Sequence, residues 1–203
     1  AFPSSDSHHH TAGFIANVAR ELEILSVNIL NWIKFHHESF KMKPERFNLR
    51  QLVTASVEIA VTLSKEKGIT FYNEVAEDLE VFQHRQAVSV IIYNLSMNAV
   101  KYTERGEIRV SSKQAGDVLS LSVSDTGAGM SPDLVKKLNS IEPYAAGFSI
   151  GETSRYQFGY VIIKDLLRLI NGDLIIESVL NEGTKATIRL DLQDSKIAWS
   201  AKN

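Results

Sequence analysis

The chain has 203 residues, 44% apolar and 23% charged, the composition of a protein that folds around a core and not of a disordered chain. Its 22 Lys and Arg stand against 24 Asp and Glu, so there is no positive surplus to grip a phosphate backbone, and nucleic acid is not an expected partner. Cysteine is absent, which removes disulfides, thiolate metal sites and a cysteine nucleophile together.

Residues 1–13 include Pro3 and His8 to His10 but no basic start followed by an apolar run, so they read as a leader and not as a secretion signal. From there Ile15, Val18, Leu22, Leu25, Ile29 and Trp32 alternate at threes and fours, which predicts one seam along a helix over residues 14–43. A second ridge at Phe14, Ala19, Ile24, Leu30 and Ile33 widens that stripe, as a helix bundle requires. It predicts self-association through this helix, the other reading being a helix that faces a core within one chain. Pro44 disfavours helical backbone at its predecessor, and a joint is expected there.

Asn48 is placed to cap a second helix, in which Leu49, Leu52, Val53, Val57, Ala60 and Leu63 recur at helical spacing until Gly68. Residues 69–75 and 79–82 are short β-rich segments, 84–102 is helical and strongly apolar, and 107–112 and 118–124 are paired strands about Ala115-Gly116-Asp117. After Asp125 come a glycine turn, a helix near 132–138, and an aperiodic stretch over 139–158 of the kind that forms functional lids or insertions. A last helix at 160–170 closes at Asn171-Gly172, two strands at 173–179 and 184–192 flank Asn181-Glu182-Gly183, and 194–203 form a tail. The order predicts an α/β (α+β) two-layer sandwich over residues 44–193: a mixed, mainly antiparallel sheet covered on one face by helices and preceded by the long N-terminal helix. No apolar run approaches the roughly 20 residues of a membrane-spanning helix, so no membrane contact is expected of this chain.

Two segments carry chemistry. Asn94, Asn98 and Lys101 stand at i, i+4 and i+7, so one helical face presents two carboxamides and an ammonium, a set that suits Mg²⁺ and phosphates. The plainer reading is asparagine solvated or bonded back to its own turn. Leu119, Leu121 and Val123 alternate along a strand running into Asp125-Thr126-Gly127-Ala128-Gly129-Met130. An acid at a strand end before Gly-x-Gly suits a carboxylate that accepts a hydrogen bond from an amine while a ligand lies close to backbone. The plainer reading there is a tight turn.

Taken in order, Asn94-x-x-x-Asn98-Ala99-x-Lys101-Tyr102-Thr103, Asp125-x-Gly127-x-Gly129, Gly159 opening a helix, and Gly183-Thr184 before a final strand resemble the ATP-binding catalytic domain of sensor histidine kinases. That domain belongs to a wider group with gyrase, heat-shock chaperone and mismatch-repair ATPases. The resemblance spans roughly residues 45–192, and residues 29–49 resemble the second helix of the kinase dimerisation hairpin and its linker. It implies ATP and Mg²⁺ as cofactors: Asn98 and Asn94 would hold the metal, Lys101 would meet phosphate oxygens, and Tyr102 would pack beside the nucleotide. Asp125 would accept the adenine amino group, and Gly127 and Gly129 would let the turn approach the base. Gly159 would offer N–H groups at a helix start, and Thr184 would bond near the adenine through water. A response-regulator receiver domain as partner and a cytoplasmic location, with a membrane anchor possible elsewhere in a full-length protein, are implied as well.

The chain departs from the family pattern in two places. Where the family reads Gly-x-Gly-Leu-Gly-Leu, this chain reads Arg155-Tyr156-Gln157-Phe158-Gly159-Tyr160, and an aromatic-rich motif expected before it is replaced by Leu138-Asn139-Ser140-Ile141-Glu142-Pro143-Tyr144. His37-Glu38 imitates the start of a phosphoacceptor motif, but at the end of its helix; His36 and His37 read as surface residues, and no acceptor histidine or catalytic residue is assigned. Two readings stay open: a histidine kinase fragment that transfers the ATP γ-phosphoryl group to a histidine, or a non-catalytic nucleotide-sensing or scaffold module of the same fold. A gyrase-type ATPase would need a carboxylate base where Asn94 stands.

Overall fold

The computed structural model describes residues 43–140 and 158–192. The expected leader, the helix over 14–43 with His36 and His37, the stretch 141–157 and the tail lie outside the described residues.

Residues 45–48, expected as a joint, form strand β1 (Glu45–Asn48), paired antiparallel with β3 (Glu80–Gln83) from Glu45↔Gln83 to Asn48↔Glu80. Asn48 ends the strand and caps helix α1 (Leu49–Ser56), its Oδ1 accepting from Gln51 N at 2.9 Å. The one helix expected up to Gly68 is broken into α1 and α2 (Glu58–Glu66) by Val57, whose backbone sits at φ −101°, ψ 3°. The ladder nevertheless continues across the break, Val57 N donating to Val53 O at 3.0 Å and Val61 N to Val57 O at 2.8 Å. The break is therefore a kink within a nearly continuous helix.

A five-stranded sheet runs in the order β2-β4-β5-β7-β6, with β2 (Ile69–Asn73), β4 (Gly106–Ala115), β5 (Val118–Asp125), β6 (Gly172–Val179) and β7 (Gly183–Asp191). Only β2 and β4 are parallel; the other neighbours are antiparallel, as the alternating pattern predicted. One face is apolar and buried, through Ile108 and Val110 on β4, Leu119, Leu121 and Val123 on β5, and Ile188 and Leu190 on β7. That face is covered by helices, which makes the two-layer sandwich.

The central helix is α3 (Arg85–Tyr102), which spans about 27 Å at 1.5 Å per residue. It packs on α1, α2, the sheet and α5 (Phe158–Leu169), so Val88, Ile91, Ile92, Leu95 and Val100 bury on several sides of it. Its C-terminal carbonyls are met by an ammonium: Lys67 Nζ donates to Val100 O at 2.6 Å and Thr103 O at 3.2 Å. Helix α4 (Pro132–Asn139) has Ser131 as N-cap, Pro132 at its first position, Asp133 in its first turn and Lys136 and Lys137 in its last. At its end the Asn139 side chain donates from Nδ2 to Ile176 O and accepts at Oδ1 from Ile176 N, both at 2.9 Å, which fixes α4 to β6.

Candidate active site

A cavity of about 290 Å³ lies between one end of the sheet and helices α3, α4 and α5. Helix α3 contributes Leu95, Asn98, Ala99 and Tyr102, which the i, i+3, i+4, i+7 spacing places on one face. Val123 and Ala186 floor it from β5 and β7, and Met130, Leu134 and Leu138 wall it from the glycine turn and α4. Asp125, Gly129, Tyr160 and Thr184 complete the wall.

The Asp125 end is assembled by strand register. Asp125 pairs with Ile108 on one side and with Thr184 on the other, so both polar side chains arrive where β5 and β7 finish. Burial pushes the Asp125 carboxyl up from its ordinary value, while the N–H groups of Gly127 and Thr184 pull it back; the Gly127 bond to Oδ1 is 2.9 Å. Ser178 fastens the neighbouring turn: its hydroxyl donates to Gly183 O at 2.7 Å, accepts from Met130 N at 2.9 Å and lies 2.9 Å from Thr184 Oγ1. Since the one Ser178 proton goes to Gly183 O, Thr184 is the donor in that pair and keeps lone pairs for other partners. With an ionised carboxylate and a hydroxyl oxygen that accepts, this end suits the donor edge of a ligand.

The glycines here serve the protein's own backbone. A Cβ on Gly127 would stand 2.3 Å from Tyr102 O, on Gly129 1.9 Å from Val179 O, and on Gly183 2.0 Å from Asp125 O. Gly129 and Gly183 also sit at φ +60° and +120°, backbone that only glycine adopts freely. Ala128 N donates to Tyr102 O at 3.0 Å and Asn181 N to Ala128 O at 2.7 Å, so the turn after Asp125 is clasped between the end of α3 and the β6–β7 turn.

The opposite end is made of carboxamides. Asn94 is buried and bonds back to its own helix, Nδ2 to Val90 O at 2.8 Å, as the plainer sequence reading has it. That bond turns Oδ1 away: it lies 3.5 Å from where a Gly159 Cβ would stand, at the start of α5, and Asn98 Nδ2 lies 4.0 Å from the same point. Tyr160, the next residue, is buried with its phenol pushed up to about 12, by burial first and the Asp125 charge second, against a hydrogen bond from Asn98 that favours the phenolate. Among the described residues no group of three or more His, Cys, Asp or Glu stands together as a metal cluster.

Of the residues named from sequence, Asn98, Tyr102, Asp125, Gly129 and Thr184 line the cavity, and Asn94 and Gly159 meet at its α3–α5 edge. Lys101 is exposed in the last turn of α3, its Nζ 5.7 Å from the Tyr102 ring centre, and Gly127 lies behind the wall. The apolar wall was not named in advance. Met130, Leu134 and Leu138 recur every four residues directly after the glycine turn, a stripe that reads equally as core.

Residues 83–194 match the family of histidine kinase-, DNA gyrase B- and HSP90-like ATPases, more than half of the chain, and the chain belongs to that family. Its curated relatives are sensor histidine kinases. Histidine protein kinase DivJ of Caulobacter vibrioides is 29% identical over 191 residues, covering 93% of this chain and 32% of that protein. Autoinducer 2 sensor kinase/phosphatase LuxQ of Vibrio vulnificus is 30% identical over 181 residues, 84% of this chain and 21% of that one. The chain thus spans about a third or less of the relatives it matches. In fold it is similar to the catalytic domain of histidine kinase ThkA, with a TM-score of 0.61 and 21% identity over 74% of this chain and 97% of that one. Full-length ShkA in complex with AMPPNP gives a TM-score of 0.69 at 19% identity, over 94% of this chain and 40% of that one.

Proposed function

We propose that this chain is the ATP-binding catalytic part of a sensor histidine kinase and that the cavity is its nucleotide site. The observation that carries the reading is the pairing of ends: the acceptors Asp125 and Thr184 at one, the carboxamides of Asn94 and Asn98 beside a glycine helix start at the other. Adenine presents an amino donor where guanine presents a carbonyl oxygen, so acceptors at the Asp125 end favour adenine. Leu95, Ala99, Val123 and Met130 give the base an apolar seat, and the start of α5 offers N–H groups to phosphate.

The residues fit a magnesium ion. Asn94 and Asn98 would supply neutral oxygen donors, and among the described residues no acidic cluster stands with them, as suits an ion that keeps several waters and shares the phosphates' charge. When bound, Mg²⁺ neutralises charge on the β- and γ-phosphates. The protein's own contribution is to seat the base, exclude water from the apolar wall and aim the triphosphate at an acceptor imidazole. Transfer breaks the bond from the γ-phosphorus to the bridging oxygen of ADP and forms one to an imidazole nitrogen. The acceptor histidine, a receiver domain as next recipient, self-association through residues 14–43 and a cytoplasmic site belong to this proposal; among the described residues no helix is long and apolar enough to cross a membrane. The scaffold alternative is not favoured, because the relatives are sensor kinases.

The test has two arms. Calorimetry with ADP and MgCl₂ should give saturable heat, and γ-labelled ATP should label a separately supplied dimerisation hairpin with acid-labile phosphate. No heat with any adenine nucleotide at millimolar concentration overturns the reading; heat without label removes the transfer step alone.

A further inference from the structure

We propose that Lys67 is a positioning residue for the nucleotide site: from outside the cavity its ammonium holds the last turn of α3, and so sets where Tyr102 and the glycine turn after Asp125 stand. This rests on the nucleotide reading and adds to it a residue that lines no part of the cavity.

The last carbonyls of a helix find no partner within it and must be met from outside. In α3, Thr103 N still reaches Ala99 O at 3.1 Å, which leaves the carbonyls from Val100 onward. Lys67 Nζ takes two of them, Val100 O at 2.6 Å and Thr103 O at 3.2 Å, and Ala128 N takes Tyr102 O at 3.0 Å. One helix end is thus gripped by two distant parts of the chain, an ammonium at the end of α2 and the glycine turn. The ammonium also lies where a cation offsets the negative end of the helix dipole.

Lys67 is itself a fixed point. It ends α2, its own N–H donating to Leu63 O at 3.2 Å and Ser64 O at 3.1 Å, and two residues later Ile69 begins β2 beside Gly106, the first residue of β4. The connection from Thr103 to Gly106 is therefore tied at both ends to residues 67–69. What Lys67 holds has no slack. A Cβ on Gly127 would stand 2.3 Å from Tyr102 O and 2.8 Å from Thr103 Oγ1, so the end of α3 and the turn already touch. The turn is also bonded back to β4, Thr126 N to Glu107 O at 3.2 Å, and Gly127 N holds Asp125 Oδ1 at 2.9 Å. A displacement of Tyr102 thus reaches the Asp125 carboxylate through two hydrogen bonds with a single residue, Gly127, between them. Asn94 and Asn98 stand further up α3, inside its hydrogen-bonded ladder, so loss of the ammonium falls on the Asp125 end.

The experiment is calorimetric titration of the full chain with ADP, in MgCl₂ and in EDTA, for wild type and Lys67→Met, which keeps most of the apolar stem and removes the ammonium. It is run at a temperature where denaturation curves show both proteins fully folded. Expected is an affinity about three- to tenfold weaker in Lys67→Met, by the same factor in both buffers. In the nucleotide-free protein, hydrogen exchange at the Ala128 amide should be at least about fivefold faster than in wild type. Exchange at Ile176 N, bonded to Asn139 Oδ1 on the opposite margin of the sheet, should stay as it is and so separates local loosening from a general loss of stability. An affinity within about twofold of wild type, a loss confined to magnesium, or equal acceleration at both amides overturns the positioning role and leaves the nucleotide reading standing. No ADP binding by wild type in either buffer overturns both. If Lys67→Met does not fold, the Lys67 ammonium signal of wild type is followed by NMR as ADP is added: a shift that saturates with the calorimetric curve is expected, and no shift at saturation overturns the role.

Discussion

At the Asp125 end of the cavity the geometry is written in backbone: strand register brings Asp125 beside Thr184, and three glycines let main chains meet where a Cβ would stand within 2.3 Å of a carbonyl oxygen. At the Asn94–Asn98 end it is written in side chains of α3 beside the start of α5, where the Asn94 carboxamide is aimed by its bond to Val90 O. The first kind of construction is rigid and intolerant, because any added atom strikes main chain that cannot rotate aside. The second can be retuned by single substitutions without loss of the fold. Damage at the two ends should therefore differ in kind.

The largest effect is expected from Gly183→Ala, whose Cβ would stand 2.0 Å from Asp125 O at a φ of +120°. A loss of about 3 kcal/mol or more should appear in chemical denaturation; a loss below about 0.5 kcal/mol would mean this end is not rigid. Next comes Asp125→Asn, which should weaken ADP binding by at least about tenfold. Its effect on stability runs the other way. Burial raises the Asp125 carboxyl above its ordinary 3.8, so the folded protein binds a proton there more readily than the unfolded chain. The contribution of this group to stability therefore falls as pH rises from 3.8 through the folded value, and at neutral pH the ionised group is a net cost. The Asp125→Asn variant should have a denaturation midpoint at pH 7 no lower than wild type, and a lower one breaks the argument.

The same titration predicts that ADP affinity declines in acid as Asp125 takes up its proton, with onset above the pH of an ordinary aspartate; calorimetry across about pH 4–7 reads it, and Asp125→Asn should flatten the Asp125 component. At the other end, Asn98→Ala should leave binding in EDTA within about threefold of wild type and remove most of the magnesium-dependent gain. The smallest effect is expected from Ser178→Ala, which frees Met130 N and Gly183 O at a cost of about 1 kcal/mol by denaturation.

The sequence made periodic features legible. The helix over 84–102, the hairpin about Gly116 and the helix near 132–138 all follow from spacing and turn chemistry. Strand β1 was not legible, because four residues with a single buried side chain, Phe47, give alternation nothing to show. The kink at Val57 was hidden for a different reason: no glycine or proline marks it, and the hydrogen-bond ladder runs through it. In the site, the polar residues were legible because asparagine and aspartate are costly on buried faces and invite a reason. The apolar wall was not, since Leu134 facing a cavity and Leu134 facing a core obey the same period. Nor could spacing reveal that Gly127, Gly129 and Gly183 make room for protein main chain.

Among the described residues strand β6 is the outermost of its sheet, and such a strand offers a row of backbone donors and acceptors to any passing chain. The Asn139 carboxamide, bonded to both N and O of Ile176, answers that exposure as a single residue of a sixth strand would. Another chain adding along this margin would have to evict the amide, and with it the end of α4 that carries Leu138 into the cavity wall. Resistance to edge-to-edge aggregation and closure of the ligand pocket thus depend on the same two hydrogen bonds.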